Sequence, residues 1–570
     1  MKTVIIGGVA GGASAAARLR RLDEDAQIVM LERGEYISYA NCGLPYYIGG
    51  EITDKNELTL QTPRSFNRRF NIDVRVNSEA VAINPLQKTV KVREVITGRE
   101  YDESYDKLIL SPGAEPVMPP IPGIDSGRIF TLRTIPDTYR ISDYIKNESP
   151  RNAVVVGGGF IGLEMAENLS RAGLAVTIVE AAGHLLGQLD YDIACEVHSY
   201  LRSKGVALML SSQVKAFRDE GGSLLVELDG GRNISADMAI MSVGVRPETG
   251  LAKSAGIATN PRGAIITDEH MLTSDPDIYA VGDAVQVKNF VTGSPAYIPL
   301  AGPANKQGRI AADNICGIKS SYKGSQGSSI LKLFDLTVAC TGLNESAAKA
   351  AGLDYDKMQT LSASHAGYYP GAENITIKTI FENGTGRILG AQLIGMKGVD
   401  KRCDVFATAI RAGMTAFDIA ELELSYAPPF SSAKDPVNMA GFAIENILTG
   451  KVKQFHWHDI PAVLADKDAL LLDTRTGKER EAGSITGSLH IPVDSLRGRI
   501  GELDPSKKIY VYCQSGLRSY LACRILSQKG FDCLNLSGGY RFYETSSCDQ
   551  DFDSSLLHPC GIKAAGATAR

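Results

Sequence analysis

The stretch "RNAVVVGGGFIGLEMAENLSRAGLAVTIVE", residues 151–180, constrains the fold of this chain more than any other. An apolar run leads into Gly157, Gly159 and Gly162 in G-x-G-x-x-G spacing, a helix-forming run follows, and a second apolar run closes on Glu180. That order predicts strand, tight turn, helix and strand, the unit that binds a dinucleotide. Small residues let the backbone approach a pyrophosphate, and the helix start presents free N–H groups to it. A carboxylate at the end of the second strand binds a ribose 2'-hydroxyl and repels a 2'-phosphate. Ala181, Ala182 and Gly183 follow Glu180 with no arginine among them, so the pattern selects NADH over NADPH.

The N-terminus repeats the pattern less strictly. "KTVIIGGVAGGASAAARLRRL" reads as strand, turn and Ala-rich helix, with Gly7, Gly8, Gly11 and Gly12 in the turn and Val9 where a second motif glycine would stand. "AQIVMLERG" supplies the next strand and places Glu32 for the ribose. Two such sites in one chain suggest FAD in the first and NADH in the second. "TSDPDIYAVGDA" resembles the late flavin-binding segment of the two-dinucleotide-domain flavoproteins, which implies that Gly282 and Asp283 face the flavin ribityl chain. "YDKLILSPGAEPVMPPIPG" resembles the point where such chains leave the FAD domain, and its prolines suit a crossover. The NADH domain is therefore expected as an insertion.

Bulk properties exclude other classes. At about 100–200 residues per domain, 570 residues predict three to five domains. A net charge of -5 without a long basic run points away from nucleic acid. No apolar run reaches the length of a membrane helix, and the start lacks the marks of a secretory leader. Ten cysteines without a C-x-x-C argue against a disulfide scaffold or zinc site, so no metal is expected and a reducing cytoplasm is.

"GGVAGGASAAARLRRL", "SYANCGLPYYIGG" and "IPLAGPANKQGRIAADNI" together resemble the coenzyme A disulfide reductases, over residues 1 to about 446, and that family shares the Val9 departure. The resemblance implies a homodimer whose second subunit completes the active site. It implies that the thiolate of Cys42 attacks a sulfur–sulfur bond beside the flavin and holds a mixed disulfide or persulfide. Such a site is expected to depress the Cys42 pKa. A C-x4-C pair would put a partner at residue 47, which is Tyr47. The resemblance further implies Ser38 and Asn41 as substrate contacts, and Tyr426 with Tyr368, chosen over adjacent Tyr369, as tyrosines that reach the partner's cysteine. Coenzyme A carries phosphates, so Arg18 and Arg21 are candidate contacts, with Arg64, Arg68 and Arg69 a second basic cluster.

The last quarter resembles a single rhodanese domain. "LLDTR", "GSITGSLHIP" and "CQSGLR" occur in order, and the last places Cys513 between an apolar strand and a helix. A nest of backbone N–H groups and Arg518 are expected to stabilise its thiolate or persulfide. Asp473 and Arg475 are expected to support the fold, and Cys523 and Cys533 to pack.

The expected α/β architecture is thus an FAD-binding Rossmann-like domain (1–115 and 246–325) with an inserted NAD-binding Rossmann-like domain (116–245). An α+β dimerisation domain (326–446), a linker (447–460), an α/β rhodanese domain (461–548) and a tail (549–570) follow. The expected function is reduction by NADH, through FAD, of per- and polysulfides including coenzyme A persulfide, with Cys513 delivering sulfane sulfur to Cys42. Reduction of coenzyme A disulfide, or sulfur transfer with NADH and FAD only resetting a thiol, are the alternatives.

Overall fold

The computed structural model describes residues 1–550. They form two compact units, one of Met1–Ala181 and Ser212–Gly327, the other of Ala182–Ser211 and the chain from Ser328 onward. Cys560 and the tail after residue 550 lie outside the described residues.

In the first unit Lys2–Ile6 is the central strand of a parallel sheet. The order is Ile278–Ala280, Lys107–Leu110, Lys2–Ile6, Gln27–Leu31, Asp73–Arg75. Val4, Ile5, Val29, Met30, Leu108 and Ile109 are buried, as expected for strands covered on both faces. Helices Ala10–Leu22 and Ala301–Ile315 cross so closely that a Cβ on Gly308 would stand 2.3 Å from the Gly11 carbonyl oxygen. Between the strands Lys107–Leu110 and Ile278–Ala280 the chain builds a second parallel ladder. There Asn152–Val156 lies between Ala175–Val179 and Met238–Met241, with Ile129–Phe130 beyond. The outgoing and returning segments, Ala114–Pro116 and Val245–Pro247, pair antiparallel. This is an insertion of one nucleotide-binding sheet into the other.

The second unit holds an antiparallel sheet of Ser329–Leu333, Leu336–Gly342, Ile388–Gly395, Asn374–Glu382 and Tyr355–Ala363. It also holds a parallel sheet of Lys453–Phe455, Cys533–Leu536, Lys508–Tyr512, Ala469–Asp473 and Leu489–His490. The segment 447–460, expected as a linker, contributes the edge strand Lys453–Phe455. Phe455 is drawn into an apolar cluster with Ile460, Leu471 and Tyr512. The last helix, Gly539–Gln550, runs two residues into the segment expected as tail.

Helix Tyr191–Ser203 anchors this unit through buried charge. Lys378 is fully buried and pairs with Asp190 (3.0 Å), Asp192 (2.7 Å) and Glu345 (2.5 Å). Asp549, on the last helix, binds Arg202 (2.6 Å), His198 (2.9 Å) and Tyr191 (3.0 Å). His198 Nε2 accepts from the Leu185 amide, so its proton sits on Nδ1 and points to Asp549. Cys195, His198 and Asp549 are therefore a helix-docking cluster, with the histidine lone pair and the carboxylate already used.

Candidate active site

The two glycine-rich turns share one geometry. Gly7 and Gly157 have positive φ, 97° and 106°, which a side chain would strain. A Cβ on Gly12 would fall 1.9 Å from the Gly7 carbonyl oxygen, and one on Gly162 2.0 Å from that of Gly157, so both helices start only with glycine there. Glu32 accepts from the Gly8 amide (3.0 Å) and Glu180 from the Gly158 amide (2.6 Å), which fixes each carboxylate at its turn. A Cβ on Gly159 would meet nothing within 4 Å, so the backbone borders open space at the helix start. Beside the first turn a cavity of about 750 Å³ is lined by Gly7, Glu32, Pro112, Arg246 and Glu248 among others. Open backbone, a helix start and a ribose-accepting carboxylate together fit a dinucleotide at each turn.

The segment carrying Cys42 is tied to the first turn. Ser38, at φ 45°, donates its amide to the Gly8 carbonyl (2.8 Å), and Leu60 donates back to Ser38 (3.0 Å). The chain then enters a 3-10 turn, Asn41–Gly43, and a short helix, Leu44–Ile48. Cys42 is exposed. Partial burial, then Glu164 and Asp283, push its thiol above the ordinary value. This corrects the expectation of a depressed pKa: the facing groups are carboxylates rather than cations, and the helix that follows is a single short turn. Tyr47 packs edge-on against Tyr139, ring centroids 5.9 Å apart. Asp283 follows Gly282, whose amide is held by Gln307 (2.8 Å); burial raises the Asp283 carboxyl and Arg133 opposes it.

Of the basic candidates, Arg18 is bound to Asp313 at 2.7 Å, which occupies its Nε. Arg21 is exposed one turn from it, and Arg64, Arg68 and Arg69 lie on helix Pro63–Phe70. In the second unit the Tyr368 and Tyr426 hydroxyls meet at 3.1 Å, both rings exposed, whereas Tyr369 packs edge-on against His365.

Cys513 ends the strand Lys508–Tyr512 and is fully buried. Its sulfur accepts from the Gly516 amide (3.1 Å) and the Ser519 hydroxyl (3.3 Å). Gly516, at φ 96°, turns that amide inward. Arg518 makes a bidentate pair with Glu479 (2.7 and 2.6 Å), and that hydrogen bonding holds the Glu479 carboxyl down to about 2. Arg475 is buried with Asp473 (2.9 Å) and lies over the rings of Tyr512 and Tyr540. Cys523 and Cys533 are buried.

Three residues at these sites escape the sequence reading: Ser519, Glu479 and Glu164. Ser519 was findable, since a residue six positions after Cys513 falls in the first turn of the helix that the loop enters. Glu479 and Glu164 meet their partners only through the fold.

Comparison with known proteins matches three segments of the chain to known families. Residues 1–308 match the pyridine nucleotide-disulphide oxidoreductase model, 328–436 the dimerisation domain of that family, and 458–545 the rhodanese-like domain. A coenzyme A disulfide reductase of Staphylococcus haemolyticus is 35% identical over 78% of this chain and 100% of its own length. The crystal structure of reduced Bacillus anthracis CoADR-RHD is 51% identical, with a TM-score of 0.94 over 96% of this chain and 98% of that one. An NAD-dependent persulfide reductase from A. fulgidus is 39% identical, with a TM-score of 0.90 over 95% of this chain and 100% of that one. With two nucleotide turns of one geometry, a dimerisation domain and a rhodanese-like domain in this order, the chain belongs to the pyridine nucleotide-disulphide oxidoreductase family.

Proposed function

We propose that this protein is an NADH-dependent flavoprotein that reduces sulfur–sulfur bonds, with per- and polysulfides, coenzyme A persulfide among them, as its substrates. The observation that carries the reading is the pairing of two unlike thiols in one chain. Cys42 is exposed and tied to the first nucleotide turn; Cys513 is buried among hydrogen-bond donors in the rhodanese domain. FAD, when bound, supplies at the first site the two electrons that NADH carries as hydride.

Placement supports the following roles. Gly7, Gly8, Gly11, Gly12, Glu32, Gly282 and Asp283 hold FAD; Gly157, Gly159, Gly162 and Glu180 hold NADH. Cys42 forms the bond to substrate sulfur, with Ser38 and Asn41 beside it. Tyr47 leaves Cys42 without an internal disulfide partner, so oxidised sulfur is stored as a bond to a foreign sulfur. Arg21 is the candidate for a coenzyme A phosphate, since Arg18 already answers Asp313. Tyr368 and Tyr426 work as a hydrogen-bonded pair from the partner subunit of a homodimer. Cys513, with Arg518 at its rim, takes sulfane sulfur and presents it for reduction. Cys42 and Cys513 carry free thiols, which suits a reducing cytoplasm, and among the described residues no helix is long and apolar enough to cross a membrane.

The test is sulfide release from a small persulfide with NADH. Cys42→Ser should abolish it, and Cys513→Ser should slow it far less; sulfide release by Cys42→Ser at the wild-type rate would overturn the mechanism. A second reading, reduction of coenzyme A disulfide, is favoured by the identity to the staphylococcal enzyme. Comparing kcat/KM for coenzyme A disulfide and coenzyme A persulfide separates the two.

A further inference from the structure

Two exposed hydroxyls can act together only if something holds the segments that carry them. Tyr368 lies at the tip of the hairpin between strands Tyr355–Ala363 and Asn374–Glu382. Tyr426 lies in the irregular segment that joins helix Ala416–Glu421 to helix Pro436–Leu448. Tyr368, Tyr426 and Phe430 are 77%, 48% and 71% exposed, and a cavity of about 450 Å³ opens beside Tyr426. Apolar packing within the chain therefore does little to fix either segment; hydrogen bonds do. Helix Val399–Ala412 brings Arg402, whose side chain is fully buried, against both. Its Nη2 donates to the Ser364 carbonyl (2.9 Å), at the root of the Tyr368 tip. The same nitrogen donates to the Ser431 hydroxyl (3.1 Å) and the Asp435 carboxylate (2.8 Å), which close the Tyr426 segment. Ser431 in turn donates to Asp435 (2.6 Å), and Asp435 caps the next helix by accepting from the Val437 amide (3.0 Å). The Ala366 amide donates to the Ser431 carbonyl (3.1 Å), and Lys401 Nζ to the Ser425 carbonyl (3.4 Å). One guanidinium thus bridges the two segments whose tips meet at the Tyr368–Tyr426 hydroxyl contact of 3.1 Å.

We propose, on the reading of this tyrosine pair as hydrogen-bond donors to substrate sulfur at the partner subunit's Cys42, that Arg402 is the residue that positions the pair. A planar guanidinium fork holds a carbonyl on one segment and a hydroxyl and a carboxylate on the other at once. A lysine's ammonium is a point charge and does not reproduce those directions. The register of the two tips matters because a displacement of about 1 Å costs up to ~100-fold in rate. Arg402 is fully buried, so it acts through the tyrosines and not on the sulfur.

The experiment uses the holoenzyme with Arg402→Lys, which keeps a positive charge facing Asp435 and loses the fork. Sulfide release from a small persulfide with NADH should fall about 10- to 100-fold, while bleaching of the flavin by NADH keeps its wild-type rate. In a Tyr368→Phe/Tyr426→Phe background the same substitution should cost no further activity, because its effect passes through the hydroxyls. A residue that only stabilised the domain would lower both backgrounds alike. The crystal structure of Arg402→Lys should show the two hydroxyls more than ~3.5 Å apart. Ser431→Ala, which leaves no charge unpaired, should move each readout in the same direction by less, and it serves if Arg402→Lys does not fold. Hydroxyls that keep their contact, an additive loss on the double-tyrosine background, or an equal loss of flavin bleaching each overturns the proposal. Wild-type sulfide release by Tyr368→Phe/Tyr426→Phe, or by Arg402→Lys once the hydroxyls have parted, sinks instead the reading of the pair on which it rests.

Discussion

The two thiols on which the proposed function rests are built in opposite ways. Cys513 is buried, and its sulfur already accepts from Gly516 and Ser519. Cys42 is exposed on a short turn, and the groups facing it are the carboxylates of Glu164 and Asp283. A preorganised ring of donors suits a sulfur that must persist as an anion or persulfide between encounters. An open thiol suits one that must exchange bonds on every turnover. Under the proposed function the contrast suits Cys513 to storage and Cys42 to turnover.

The comparison breaks most decisively at the first thiol. Cys42→Ser should lower NADH-dependent sulfide release by about 10³-fold or more, the scale of losing a nucleophile, while Cys513→Ser keeps most of it on a small persulfide. Next, Ser519→Ala removes one of the two donors to the Cys513 sulfur. A hydrogen bond to a charged group is worth about 1.5–3 kcal/mol, so cyanide-dependent sulfur transfer should fall roughly tenfold or more. An unchanged rate of sulfur transfer would mean that the hydroxyl serves the Gly516 carbonyl rather than the sulfur.

The scaffold under the storage site gives a further measurement. Burial works against the Asp549 carboxylate, but His198 and Arg202 hold it below the usual range. A depressed carboxylate contributes stability that is present above its unfolded value, about 3.9, and is lost as pH falls below that toward its folded value. Asp549→Ala leaves the buried Arg202 without that carboxylate and should cost about 3–5 kcal/mol, seen as an earlier thermal transition at pH 7 that converges on the wild type in acid. Smallest of all, Glu479→Gln loosens Arg518 without touching the Cys513 sulfur. Because the Glu479 carboxyl is held to about 2, the wild-type pair is intact throughout the neutral range, and only the variant should change the salt dependence of sulfur transfer.

What was legible in the sequence is what short segments carry by themselves. Gly12 and Gly162 are required by backbone contacts within their own turns, Gly7 and Gly157 by their positive φ, and Glu32 and Glu180 sit one strand away. Cys42 and Cys513 stand out because their neighbours in sequence form the turns that hold them. The direction of the Cys42 shift was not legible, since Glu164 and Asp283 come from distant segments. Nor was the edge strand Lys453–Phe455, which owes its pairing to Cys533–Leu536, about eighty residues on. Nor was the tie of the Arg18 Nε to Asp313, 295 residues away.

The sequence alone therefore determined the order of domains, the two nucleotide turns and the two thiols, because glycine spacing and strand–turn–helix patterning act over a few residues. Tertiary structure alone decided the environment of each thiol. It bound Arg518 to Glu479 and docked Asp549 on His198 and Arg202 across 351 and 347 positions of chain. The physical reason is range: backbone geometry is set locally, whereas desolvation and charge pairing depend on whatever the fold brings within a few ångströms.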